Sequence, residues 1–316
     1  MRTRPWTPWL YVAPALLVLG FYLVYPALVT IGLSLFERIP IQWALGDLLS
    51  APSCSALEAA SEKPQRALCF AGLKNYLRVF TERDTQIALR NNLMWLVVVT
   101  SVTVGLGLLL AVLLDRVRYE SLAKSAIFMP MAISFVGAGI IWKFMYAYRP
   151  PIYPQIGLLN AVRVALGEEP IAWLTQAPWV NNLALMAVFI WIWTGYCMVI
   201  LSAAYKGIDR DLLEAARIDG ANEWQVFRHV VLPTLRSTVV VVATTMTVFT
   251  LKVFDIVYVM TNGNYETEVL ANAMYKQMYS YWNFGLASAI AVVLFLAVLP
   301  FIVINIRRFL EQEAVR

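Results

Sequence analysis

Histidine is almost missing from this 316-residue chain, which carries only His229. Cysteine is scarce too: Cys54, Cys69 and Cys197 form no CxxC and no Cys/His cluster, so the sequence offers no ligand set for a transition metal and none is expected. An intramembrane hydrolase would need HExxH or paired aspartates on facing helices, and neither is evident. The dipeptide Gly-Lys is absent, and with it the GxxxxGK[ST] loop that cradles nucleotide phosphates; the chain is not expected to hydrolyse ATP. Charge is thin, at 14% of residues against about 25% in soluble domains.

Apolar residues make up 60% of the chain, well above the roughly 45–50% of a soluble domain, and this points to an integral membrane protein in contact with a lipid bilayer. The excess of 25 Lys and Arg over 20 Asp and Glu fits basic residues in cytoplasmic loops and is not a nucleic-acid signal. A spanning helix needs about 20 mostly apolar residues, and six segments qualify: 9–36, 91–114, 124–147, 182–206, 236–260 and 285–307. Unpaired backbone groups are not tolerated in lipid, and runs such as LVVVTSVTVGLGLLLAVLL lack the alternation of a barrel strand, so the segments read as helices. The first is too long for the core of a signal peptide and is expected to be retained, kinked near Pro14 and Pro26. The expected fold is an all-α membrane protein of six transmembrane helices, with 1–316 forming one domain.

Lys and Arg set the orientation. Arg2, Arg4, Arg116, Arg118, Lys124, Lys206, Arg210, Arg217 and Arg316 fall on one side, which is taken as cytoplasmic with both termini inside. The basic residues opposite are concentrated in one long outer loop, 37–90. Cys54 and Cys69 lie in that loop and could pair if it is extracytoplasmic; two free thiols are the alternative. A second outer segment, RPPIYPQIGLLNAVRVALGEEPIAWL, mixes prolines with a short apolar helix pattern. Gly107 with Ala111, and Ser134 with Ala138, have the four-residue spacing that lets helices approach closely.

One polar block interrupts the apolar pattern, at 208–233. Asp209 can cap a helix through Leu212, Leu213, Ala216 and Arg217, and Gly220 can end it in a left-handed conformation. Asn222 and Gln225 are spaced for a capping box on a second helix, where Trp224, Phe227 and Val231 recur on one face. Pro233 suits the first turn of the next membrane helix. Two short helices joined by a sharp turn at a membrane face suit docking to a water-soluble partner; an amphipathic surface linker is the plainer reading. His229 is given no chemistry.

Within that block, Glu214-Ala215-Ala216, Asp219-Gly220-Ala221, Phe227 and Leu232-Pro233 resemble the EAA motif of permeases of ATP-binding cassette importers. FDIVYVMTNG (Phe254 to Gly263) and NFGLASAIAVVLFL (Asn283 to Leu296) look like the carbohydrate branch of that family, with TNGNYETEV in place of its TGGGP-like stretch, as in α-glucoside permeases. The resemblance implies the type I importer permease fold in a cell's inner membrane, with 208–233 as a cytoplasmic coupling loop and no cofactor held by this chain. It further implies a second homologous permease, a cytoplasmic ATPase dimer holding ATP and Mg, and a periplasmic or lipid-anchored sugar-binding protein.

The same resemblance implies a sugar site midway along the fourth and fifth helices. Polar and aromatic groups at bilayer depth are the candidates there: Trp191, Trp193 and Tyr196, then Thr247, Phe249, Thr250 and Lys252. Packing is the plain reading of the aromatics, and bonding to the preceding helical turn that of the threonines. Lys252 could snorkel or pair with Asp255 at i+3. The expected solute is a di- or oligosaccharide, α-glucoside or maltose-like. The alternatives are the same machinery carrying another solute such as glycerol phosphate, and an ion-driven secondary transporter, for which the inverted repeats are not found.

Overall fold

The structure is a computed structural model that describes residues 7–37, 45–54, 56, 68–115 and 117–314. Arg2, Arg4, Arg116 and Arg316, counted above for orientation, lie outside the described residues, as do residues 38–44, 55 and 57–67 of the 37–90 loop. Among the described residues, five helices are long and apolar enough to cross a membrane: Trp9–Leu33, Arg83–Leu114, Val180–Lys206, Glu223–Leu251 and Phe284–Ile304. A bent pair, Glu120–Ala132 with Phe135–Met145, makes a sixth if the two together count as one span.

The residues group into two compact units, Met1–Gln86 with Ala273–Leu296, and Ile87–Asn272 with Ala297–Arg316. In the first, α1 (Thr7–Leu19) keeps Pro14 inside an uninterrupted helix. The irregularity falls instead in a wide π turn, Gly20–Val24, before α2 (Tyr25–Leu33). Pro26 explains its place: without an N–H, and with a ring that clashes with the carbonyl four residues back, it forces the preceding turn open. A two-stranded ribbon follows, β1 (Phe36–Glu37) against β2 (Cys69–Phe70). Cys54 and Cys69 are joined by a disulfide beside it. Within 37–90 lie the short helices α3 (Leu45–Leu49) and α4 (Lys74–Thr81), and the long helix α5 (Arg83–Leu114) begins at Arg83. Buried Asn75 on α4 donates its amide to the carbonyls of Ser34 and Phe36, both at 2.9 Å.

The second unit is built around α9 (Val180–Lys206), the most deeply buried of the long helices. Packing this tight needs small residues. A Cβ on Gly107 of α5 would stand 2.5 Å from the Cys197 Cβ on α9, so only glycine lets the two backbones approach so closely. The third span is not the straight helix the sequence predicted. α6 (Glu120–Phe128) ends in a 3-10 turn at Met129–Ala132 containing Pro130, and α7 (Phe135–Met145) departs at 101°. Ser134, expected to act as a small packing residue, is the N-cap of α7, its hydroxyl accepting from the Gly137 N–H at 3.1 Å. After α8 (Leu158–Ala165) and α9 come α10 (Arg210–Ile218), α11 (Glu223–Val226) and α12 (Leu232–Leu251). The fifth span stops at Leu251 rather than 260, and the chain is irregular at Lys252–Phe254 before α13 (Asp255–Met260). Two further helices, α14 (Leu270–Tyr279) and α15 (Phe284–Ala314), complete the order.

Candidate functional site

The break between α12 and α13 opens one wall of a cavity of about 310 Å³, lined by Phe135, Phe189, Trp193, Phe249, Lys252, Val253, Phe254, Asp255 and Ile256. Phe189 and Trp193 are four residues apart on α9 and therefore share a face. Phe135 is the first residue of α7, brought in by the 101° bend. Trp193 stacks on Phe249 of α12 at 4.4 Å between centroids and 27° between planes. Phe135 and Phe189 are each 6.1 Å from it, making a four-ring wall. Trp193 is 8% exposed, and its indole Nε1 has no hydrogen-bond partner among the described residues. Such an orphan donor is costly unless something accepts from it.

Polar groups sit at the broken end. Lys252 caps the C-terminus of α12, where the helix dipole favours a cation, and Asp255 opens α13, where it favours an anion. The expected Lys252–Asp255 pair does not form. A continuous helix would bring residues three apart side by side, and the helix is interrupted between these two.

Of the seven residues predicted for the solute site, the cavity gathers Trp193, Phe249 and Lys252. Trp191 turns away, its ring 5.6 Å from Trp142. Tyr196 sets its edge against Trp193 at 5.6 Å without lining the cavity. Thr250 donates its hydroxyl to the Met246 carbonyl at 2.7 Å, the local bond that serine and threonine make within helices. Thr247 is buried outside the lining. Phe135, Phe189 and Phe254 were not foreseen; the spacing of Phe189 from Trp193 was the available signal, whereas Phe135 depends on a bend the apolar run conceals.

The polar block forms two short helices and a turn. Asp209 caps α10 by accepting from the Asp211 N–H at 3.0 Å. Gly220 has φ of +84°, a conformation that glycine alone adopts without strain. Asn222 and Gln225 form the capping box, with bonds of 2.8 and 2.9 Å. Glu214, Ala215, Asp219, Gly220 and Pro233 are exposed, while Ala216, Ala221 and Phe227 pack against the core. One expectation fails here. Trp224, Phe227 and Val231 do not form one apolar face: Val231 is buried, whereas Trp224 is 65% exposed and stacks on Phe227. Pro233 lies in the first turn of α12, as its spacing predicts. A π turn at Phe227–Val231 joins α11 to α12, so that helical backbone continues from Glu223 to Leu251.

Near the start of this block lies a second, shallower cavity of about 520 Å³, lined in part by Glu120, Lys124, Ser202 and Lys206. Glu120 pairs with Lys124 and, at 2.8 Å, with Lys206. Among the described residues no group of three or more His, Cys, Asp or Glu side chains is placed to hold a metal ion.

Residues 103–316 match the family model described as binding-protein-dependent transport system inner membrane component. The osmoprotective compounds uptake permease protein GgtC of Synechocystis sp. is 53% identical over 307 residues, covering 97% of this chain and 100% of that one. The alpha-glucoside transport system permease protein AglF of Rhizobium meliloti is 46% identical over 307 residues, 97% of this chain and 83% of that one. A crystal structure of a bacterial ABC transporter involved in alginate import contains a chain of the same fold, with TM-score 0.72 and 20% identity over 96% of both chains. The chain belongs to this family of multi-pass membrane permeases of ATP-binding cassette importers, non-catalytic subunits whose ATP hydrolysis is carried out by a separate polypeptide.

Proposed function

We propose that this permease carries a neutral glucoside of about disaccharide size through the Trp193–Phe249 cavity. The single observation behind the reading is that cavity: an aromatic wall with an orphan indole donor, with Lys252 and Asp255 also in its lining. Sugars present an apolar face to aromatic rings and hydroxyls to polar groups, so stacked aromatics beside one cation and one carboxylate suit a neutral polyol. A volume near 310 Å³ lies at the small end of ligand pockets, about 300–1,000 Å³, which favours a disaccharide-sized solute over a long oligosaccharide. The names of the relatives, one for alpha-glucosides and one for osmoprotective compounds, support the same class.

The solute contacts in this reading are Trp193, Phe249, Lys252 and Asp255. Both termini and the 208–233 block face the cytoplasm, and the disulfide-closed segment faces outward, in a cell's inner membrane. The exposed Glu214, Ala215, Asp219 and Gly220 surface docks to the ATPase dimer, which holds ATP and Mg; a second permease and a solute-binding protein complete the importer. Nucleotide-driven movement of the docked block shifts the cavity between two accessible states.

ATP-dependent uptake by the purified assembly in proteoliposomes tests this. A labelled α-glucoside should accumulate only with ATP and should not be displaced by glycerol phosphate. Uptake driven by an ion gradient without ATP, or preferential uptake of glycerol phosphate, overturns the reading.

A further inference from the structure

Adjacent asparagines near the start of α5 are 0% and 3% exposed, and both amides bind main-chain groups far along the chain. Asn91 donates to the carbonyls of Glu266 at 2.7 Å and Glu268 at 2.8 Å. Asn92 donates to the Leu251 carbonyl at 3.1 Å and accepts from the Leu270 N–H at 2.8 Å. Leu251 is the last residue of α12 and Leu270 the first of α14. One side chain thus satisfies a carbonyl left over at one helix end and an N–H left over at another. From α9, Asn181 donates to the Tyr265 carbonyl at 2.6 Å and Asn182 to that of Glu266 at 3.2 Å.

The segment so held is strained. Asn262, Tyr265 and Glu266 have φ of 52°, 57° and 60°, left-handed values that residues with side chains seldom adopt. Such conformations persist only where the surroundings over-determine them, and four buried asparagine amides do so here. Plain capping would account for Asn91, Asn181 and Asn182, which touch only this loop or their own surroundings. Asn92 differs. Its donor bond ends at Leu251, the residue before Lys252, and 252–256 form the broken wall of the aromatic cavity.

We propose that Asn92 is a positioning residue that ties the cavity wall at 252–256 to the strained loop 261–270, so that the two segments move together. Its importance for transport rests on the cavity being the solute site; the tie itself does not. Because the two bonds use different atoms of one amide, they can be cut separately. Asn92→Asp keeps an acceptor for the Leu270 N–H but loses the donor to the Leu251 carbonyl. Asn92→Ala loses both.

Amide hydrogen exchange of the assembled importer in lipid nanodiscs reads the tie directly. With Asn92→Ala, exchange should rise about tenfold at both 252–256 and 261–270, as expected when buried hydrogen bonds are removed. With Asn92→Asp, 252–256 should loosen while Leu270 stays protected, and this variant carries the test if the alanine variant does not assemble. Asn160→Ala removes another buried amide, bonded to the Ala147 and Ile171 carbonyls, and should leave 252–256 unchanged. Exchange at 252–256 that is unaltered in the Asn92 variants, or raised equally by Asn160→Ala, overturns the proposal. Half-saturating solute concentration, measured alongside, should rise about tenfold in both Asn92 variants. Loosened 252–256 with unchanged half-saturation supports the tie and counts instead against the cavity as the solute site.

Discussion

Phe249 lies against Trp193, 4.4 Å between ring centroids, and so covers one face of the indole. Each ring comes from a different helix, α9 for Trp193 and α12 for Phe249, so relative movement of these helices separates the rings. Stacked aromatic pairs are worth about 0.5–1.5 kcal/mol beyond their burial, little enough for a bound solute to replace.

Replacing either ring therefore has a distinct signature. Trp193→Ala should raise the half-saturating solute concentration about tenfold or more, since about 1.4 kcal/mol corresponds to a factor of ten. Phe249→Leu frees the indole face and should change affinity less. Uptake kinetics in proteoliposomes give both values; a Trp193→Ala variant that assembles and transports with wild-type kinetics would remove Trp193 from the site.

Gly220→Val tests the turn of the 208–233 block and its proposed role in coupling. A left-handed non-glycine residue costs about 1–2 kcal/mol, so the turn should distort although no neighbouring atom stands within 4 Å of the added Cβ. The expected outcome is normal membrane insertion with ATP hydrolysis uncoupled from uptake. Parallel assays of phosphate release and uptake check this, and full coupling would argue that the turn geometry is dispensable.

Gly107→Leu places a side chain whose Cβ would stand 2.5 Å from the Cys197 Cβ, so α5 and α9 must part. Overpacking costs about 1–3 kcal/mol or more. A thermal unfolding midpoint in detergent should fall by several degrees, whereas Gly105→Leu, with nothing within 4 Å, should leave it near wild type.

Cys54→Ser with Cys69→Ser removes a bridge of sequence separation 15, for which chain entropy gives about 3 kcal/mol. The ribbon of Phe36–Glu37 and Cys69–Phe70 should become protease-sensitive while transport by the intact assembly persists. Limited proteolysis with and without reductant measures it.

Sequence patterns carried the long helices and the caps far better than the breaks. Asp209, Gly220, Asn222 and Gln225 act locally, through bonds within a few residues, and their roles are written in their spacing. The interruptions at Met129–Ala132 and Lys252–Phe254 sit inside apolar runs whose composition suits a straight span, and tertiary packing decides where each stops. The cavity was legible only in part. Trp193 and Phe249, singled out for their chemistry, line it, but Phe135 enters only through a bend, and the helix between Lys252 and Asp255 ends. Trp191 lies beside Trp142 instead, because two residues along a helix turn the side chain to another face.

The continuity of helical backbone through the π turn before Pro233 has a mechanical consequence. From Glu223 to Leu251 the helix counts 29 residues, about 43 Å at 1.5 Å each. A rod of that length, gripped at its polar end and tilted by five degrees, sweeps its far tip through about 4 Å. That stroke is comparable to the spacing between the two stacked rings, so a rigid tilt of this size imposed at Glu223 would be enough to unseat one aromatic from the other.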